Sequence, residues 1–235
     1  MGGPLDLMPS PKDRRSSAPP ARRRAAVLAG HQTHTDAAVA LSEDPDPSVR
    51  AAALGALARL GELGTHRLLR ALTDPDATVR RRACGIAGRI ASGEAGPSPG
   101  ALLEVLTGAL SDPDFSVAET AAWALGEWGA ASAGVPVEVL CRTAREHPDT
   151  LCREAAVASL GAIGDERALP AVLAALEDRP AVRRRAAIAL AAFEDPTAEE
   201  GLRRCLQDRD WQVRQVAEEL LDDQGDHIRG EQDGA

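Results

Sequence analysis

The chain has 235 residues, with 36 Asp and Glu against 27 Lys and Arg, a net charge of −9 and a pI near 5.1. That balance argues against general nucleic-acid binding, which depends on excess basic charge to neutralise phosphates. Hydrophobic residues make up 44 % but aromatics only 2 %, so a core has to be built from Ala, Leu, Val and Ile, and the Ala and Leu among them favour helix.

In chain order, residues 1–19 carry Pro4, Pro9, Pro11, Pro19 and adjacent Ser, and read as a disordered tail. From Pro20 to Gly30 the sequence looks like half a repeat, because Pro20-Ala-Arg-Arg-Arg-Ala-Ala echoes Pro180-Ala-Val-Arg-Arg-Arg-Ala-Ala further on. The Arg14-Arg15 pair and the Arg22-Arg23-Arg24 run do not make a signal peptide, since the apolar stretch Ala25 to Gly30 is too short and meets His31 at once. No run approaches the ~18 apolar residues of a membrane span, and the expected location is the cytoplasm.

One phrase then recurs. It appears as Asp44-Pro-Asp-Pro-Ser-Val-Arg50 and Asp74-Pro-Asp-Ala-Thr-Val-Arg80, then as Asp112-Pro-Asp-Phe-Ser-Val-Ala118 and His147-Pro-Asp-Thr-Leu-Cys-Arg153. The last copies are Glu177-Asp-Arg-Pro-Ala-Val-Arg183 and Asp208-Arg-Asp-Trp-Gln-Val-Arg214. Successive starts are separated by 30, 38, 35, 30 and 31 residues, a period that marks a repeat array. Each phrase is a helix start, because Pro breaks the preceding helix and acidic side chains suit the free N–H groups of the next.

Counting from the Val or Cys as zero, position four is Ala53, Ala83, Ala121, Ala156, Ala186 and Ala217. Position eight is Leu57, Ala87, Leu125, Leu160, Leu190 and Leu221, and position eleven is Leu60, Ile90, Trp128, Ile163, Phe193 and, against the pattern, Gln224. Apolar residues at zero, four, eight and eleven form one stripe of a helix. Gly61, Gly129, Gly164 and Gly225 follow where a helix would stop. A second, shorter helical pattern lies between these helices: His66 to Leu72, Gly100 to Leu110, Val135 to Ala144, Ala168 to Leu176 and Ala198 to Leu206. The unit is helix–turn–helix, and since a lone unit cannot bury its stripe the units must stack. Ser92 to Gly100 reads as a loop insertion, residues 20–224 as the folded array, and residues 225–235 as a frayed tail.

The Asp-Pro-Asp-x-x-Val-Arg-x-x-Ala-x-x-x-Leu phrase, and Ala122-Trp123-Ala124-Leu125-Gly126-Glu127 above all, resembles the bacterial HEAT repeats known as PBS-lyase HEAT-like repeats over about residues 21 to 224. The near absence of Lys (Lys12 alone) suits a GC-rich genome such as an actinomycete's. The resemblance implies an all-α, right-handed α-α superhelix, a HEAT/armadillo-like solenoid of about six helix pairs. The family includes scaffolds, adaptors and a few enzymes. The branch similar to deoxyhypusine hydroxylase holds iron with His-Glu pairs, and this chain has no His-Glu dipeptide. The bilin-attaching lyases leave no distinctive residues to carry over, and the overall acidity argues against the HEAT-like DNA glycosylases.

The residues offer little chemistry. Cys84, Cys141, Cys152 and Cys205 are widely separated with no CxxC pair, and read as small buried hydrophobes rather than a disulfide or zinc framework. Of the five His, only His31 and His34 are close, in a turn between helices and without a third ligand. There is no Gly-rich phosphate loop and no nucleophile motif, so the reading assigns no catalytic residue, no metal and no cofactor, and leans away from an enzyme.

What remains is surface. Positions two and six point away from the stripe, and in HEAT arrays the second helix of each pair lines the concave side. There an acidic band, Glu119 and Glu154 with Trp123, is flanked by Arg81 and Arg82 on one side and by Arg184 and Arg185 on the other. Exposed Trp and Arg are typical anchors. Trp128 falls in the core column, and Trp211 lies in a turn. The repeated Arg50, Arg80, Arg153, Arg183 and Arg214 are read as structural, each pairing with an Asp of its own or a neighbouring turn. The expected function is a non-catalytic scaffold or adaptor for a protein partner. A lyase-like enzyme or enzyme subunit, or a nucleic-acid binder using the Arg clusters, is the alternative.

Overall fold

The structure, a computed structural model, describes residues 18–91, 99–131 and 134–232. The expected tail up to residue 17 and most of the expected loop after Ser92 lie outside the described residues. Two compact units divide the chain, Met1–Ala87 and Gly88–Ala235.

Every regular element among the described residues is a helix. In the first unit lie α1 Pro19–His31, α2 Thr35–Leu41, α3 Pro47–Leu60 and α4 Thr65–Leu72, and α5 Ala77–Ile90 carries the chain across the boundary. The second unit holds α6 Pro99–Ala109, α7 Phe115–Ala131, α8 Val137–Glu146, α9 Thr150–Ile163, α10 Leu169–Ala174, α11 Pro180–Leu190, α12 Pro196–Cys205 and α13 Trp211–Gln232. Short 3₁₀ turns, Glu166–Ala168 and Ala175–Glu177, flank α10. Among the described residues six pairs result, α2–α3 through α12–α13, each with a short first helix and a longer second one. Helix α1 has no first helix among the described residues and packs on α3.

The first helix of the first pair, α2, was not read from the sequence, because Asp36 to Leu41 is too short to show a period. Thr33, with φ +58°, turns the chain between α1 and α2, so His31 ends one helix and His34 caps the next.

The phrase works as a helix start through a division of labour between its two acids. The second one caps: Asp46 Oδ1 accepts the Ser48 and Val49 N–H groups, and Asp149 Oδ1 accepts those of Leu151 and Cys152. At the other end, Gly61 and Gly164 adopt φ of +73° and +66°, the left-handed caps expected of them. The two other glycines were misread as stops. Helix α7 runs past Gly129 to Ala131, and there a Cβ would fall 2.3 Å from Ile163 Cγ1, so this glycine permits close packing. Helix α13 runs past Gly225 to Gln232, through much of the segment expected to fray.

The stripe is the core. Positions zero and four are buried in all six copies, from Val49 and Ala53 to Val213 and Ala217. Position eight is buried except at Leu221, while at position eleven Trp128 and Phe193 are buried and Leu60, Ile90 and Ile163 are half-buried. Ala156, fully buried, faces the packing of α9 on α7 and α11. Ala156→Leu is expected to lower stability by about 1–3 kcal/mol through overpacking. A urea melt that superimposes on wild type would refute that placement.

The repeated arginines build a ladder. Arg50 gives two parallel hydrogen bonds to Asp74 (2.9 and 2.7 Å), and its remaining nitrogen reaches the carbonyls of Asp44 and Pro45 in its own turn. Arg153 does the same with Asp178 (2.6 and 2.8 Å) and the carbonyls of His147 and Pro148. Arg183 pairs with Asp208 (2.8 and 2.7 Å) and with the carbonyl of Asp178. Each rung therefore ties one phrase to itself and to the next, by the planar fork that Arg alone offers. Arg22 forms a further rung with Asp44 at 2.8 and 3.0 Å, which the echo of Arg22 with Arg183 could have revealed.

Candidate partner-binding faces

On each second helix the residues at positions two, six and ten point away from the core stripe, because successive steps of four and eight residues keep them on one side. The second unit carries most of the residues singled out. Trp123 on α7 is 38 % exposed, and its ring lies against Gly88, where a Cβ would come within 2.4 Å of ring atom Cζ3. That glycine makes the seat for the indole. Trp128, one and a half turns on, is 5 % exposed and belongs to the core, while Trp211 at the start of α13 is 62 % exposed.

Glu119 and Glu154 are half-buried on α7 and α9. Arg185 of α11 brings a nitrogen to 3.4 Å from Glu154 Oε1, while its Nε is buried without a hydrogen-bond partner among the described residues. Arg184 donates instead to Gln212 Oε1 at 2.8 Å. Between α9 and α11 lies a shallow trough floored by Ala158, Gly161, Ala162 and Ala189 and edged by Arg185 and Ile188. Its floor is low because the helices approach closely: a Cβ on Gly161 would sit 2.7 Å from Ala189 Cβ. Ile188, at position six of α11, is 42 % exposed.

In the first unit, Arg81 and Arg82 are exposed on α5. The Arg82 guanidinium lies across Gly55 of α3, where a Cβ would come within 2.1 Å of Nη2.

Nucleophiles are not poised anywhere in this set. Burial pushes the Cys152 thiol up to about 12 and that of Cys205 up to about 11, so neither is a thiolate at neutral pH. Among the described residues no three His, Cys, Asp or Glu come together as a metal-holding group, and no helix is long and apolar enough to cross a membrane.

HEAT repeats are matched at residues 14–84, 65–137, 103–181 and 137–222, which together span nearly the whole chain. The chain belongs to the HEAT-repeat family. It is an all-α solenoid of HEAT-like helix pairs. Among curated proteins none matches it. Among solved structures, the complex of CpcE and CpcF of phycocyanin lyase from Nostoc sp. is 26 % identical, with 78 % of this chain and 74 % of that one covered and a TM-score of 0.55. An engineered protein is 24 % identical over 86 % of this chain and 95 % of its own, with a TM-score of 0.52. A designed armadillo repeat protein in complex with the peptide (KR)4 shares the fold at 17 % identity, covering 88 % and 99 % with a TM-score of 0.55.

Proposed function

We propose that this HEAT-repeat chain is a non-catalytic scaffold or adaptor that holds a protein partner on the concave face lined by its second helices. The observation that carries this reading is Trp123, a large apolar side chain left more than a third exposed on a glycine seat made for it. Rigid, half-exposed Trp gives much contact area at low entropic cost, which is why such residues dominate binding energies. Around it, Glu119, Glu154, Arg184 and Arg185 supply a polar rim, with Ile188 beyond the trough. Arg81 and Arg82 present a separate cationic surface in the first unit. The likeness to the CpcE and CpcF complex supports partner binding, since that structure is itself an assembly. Four free, buried cysteines suit a reducing cytoplasm, where we place the protein.

The test is affinity capture from native lysate after nuclease treatment, comparing wild type with a Trp123→Ala, Glu119→Lys, Glu154→Lys variant whose helicity is intact. A specific protein retained by wild type and lost from the variant is the expected result. Equal capture by both would remove this face from consideration, and retention of only nuclease-sensitive material would favour a nucleic-acid role.

A further inference from the structure

The second helices of the first unit share an unusual composition. Helices α1, α3 and α5 contain no Asp or Glu at all, in a chain whose net charge is −9. All the acids of this unit's described part lie in turns and in first helices, among them Asp36, Glu43, Asp44, Asp74 and Asp76. Arg22 and Arg50 are consumed by the ladder. Arg80 donates to the carbonyls of Asp74 and Pro75 in its own turn, and five others point outward. In the register set by the Arg22, Arg50 and Arg80 equivalence, Arg23 and Arg81 occupy position two, Arg24 and Arg82 position three, and Arg59 position ten. All five are exposed, and Arg23, Arg24, Arg59 and Arg81 form no ion pair among the described residues.

Two of these guanidinium groups are laid down rather than free to wave. Arg59 Nη1 would lie 2.6 Å from a Cβ on Gly30, and Arg82 stands in the same relation to Gly55, so each crosses onto the preceding helix at a residue without a side chain. A cation held flat against its neighbour loses less entropy on binding an anion than one on a mobile stem. Beside them, Val27 and Leu28 of α1 are 40 % and 41 % exposed.

We infer that this face of the first unit is a docking surface for an acidic, leucine-bearing segment of a partner protein, whose carboxylates pair with Arg23, Arg59 and Arg81 while an aliphatic side chain covers Val27. Charge complementarity chooses an anionic occupant. The exposed aliphatics choose a carboxylate-bearing peptide with apolar side chains over a nucleic-acid backbone, whose phosphates gain nothing from Val27. The inference extends the partner-binding reading but does not need the Trp123 face.

Fluorescence anisotropy with the full chain tests it, using a labelled peptide in which Asp and Glu surround two Leu. Comparison probes are the same peptide with Gln and Asn in place of the acids, and a labelled single-stranded oligonucleotide. The acidic peptide is expected to bind at low salt, weakening as salt rises. An Arg23→Gln, Arg59→Gln, Arg81→Gln variant should weaken it about tenfold or more, and the corresponding Arg→Lys variant by about threefold or less. Equal binding of the neutral peptide, tighter binding of the oligonucleotide, or no binding of the acidic peptide overturns the inference. Trp123→Ala separates the two readings. It should leave this anisotropy unchanged while removing the captured partner, so either surface can fail without the other.

Discussion

Asp208→Ala is expected to lower the unfolding free energy by about 2–4 kcal/mol, near the range for breaking a largely buried ion pair from one side. Asp208 accepts two hydrogen bonds from Arg183 and a third from the N–H of Asp210, so it both ends a rung and shapes its own turn. The Arg183 side chain is 5 % exposed and that of Asp208 13 %. Without the carboxylate, the guanidinium keeps only the carbonyl of Asp178 and stays buried with an unmatched charge. An Arg183→Met, Asp208→Ala double variant should therefore be more stable than Asp208→Ala alone, because the stranded charge is gone. Urea unfolding of wild type, Arg183→Met, Asp208→Ala and the double variant measures both quantities. Additive losses would mean that the rung does not act as a unit.

The same rung sets an acid sensitivity. The hydrogen bonds from Arg183 and Arg153 hold the carboxyls of Asp208 and Asp178 below the ordinary carboxylate range, against the opposing effect of burial. A group whose folded pKa is depressed contributes its stability above its unfolded value and loses it as pH falls through the folded one. Wild type should thus lose stability from about pH 4 downward, and Asp208→Ala should lose less over the same interval, having one such carboxylate fewer.

The ladder and the core stripe were legible because both depend on residue types repeated at fixed offsets. What the sequence left open was which Asp each Arg uses. The structure shows a division of labour: a carbonyl in its own turn and, for Arg50, Arg153 and Arg183, a carboxylate in the next. Trp128 in the core and Trp123 half outside followed from their places in the helical count. The glycines were harder, since Gly129 and Gly164 occupy equivalent places but one meets Ile163 of a neighbouring helix and the other ends its own. The pairing of Arg185 with Glu154, 31 residues apart, joins adjacent second helices and needed the packing itself to be seen. Arg59 was passed over because it lies at position ten, outside the two columns first read as the surface.

One place in the ladder is missing from both sides. The third phrase ends in Ala118 where the others carry Arg, and the fourth begins with His147 where its neighbours offer Asp. Each absence removes the need for the other. The turn is still made, since His147 Nδ1 accepts the Asp149 N–H as Asp74 and Asp208 accept theirs. In place of the ion pair, the Phe115 ring meets His147 edge-on with centroids 5.3 Å apart, and Cys152 Sγ donates to the Phe115 carbonyl. The junction of α7 with α9 is held instead by close packing: Ser159 Oγ donates to the Ala122 carbonyl at 2.7 Å, and Gly126 leaves room for it.

The grammar of the rungs predicts that this pair can be written back. Ala118→Arg alone should cost about 3 kcal/mol or more, because it places a cation at a fully buried position whose counterpart in the repeat register is an imidazole rather than a carboxylate. His147→Asp alone should cost about 1 kcal/mol or less, since Asp can accept the Asp149 N–H and only the aromatic contact is lost. The double variant should recover about 2 kcal/mol relative to Ala118→Arg, a coupling that appears only if the new pair forms. An Ala118→Met, His147→Asp variant separates charge from bulk, because it fills the same space without offering a donor. If Met recovers as much as Arg, relief of crowding explains the coupling and the rung has not been rebuilt. If Arg alone recovers, the two departures from the repeat are halves of one exchange, made where helix packing had already replaced the ion pair.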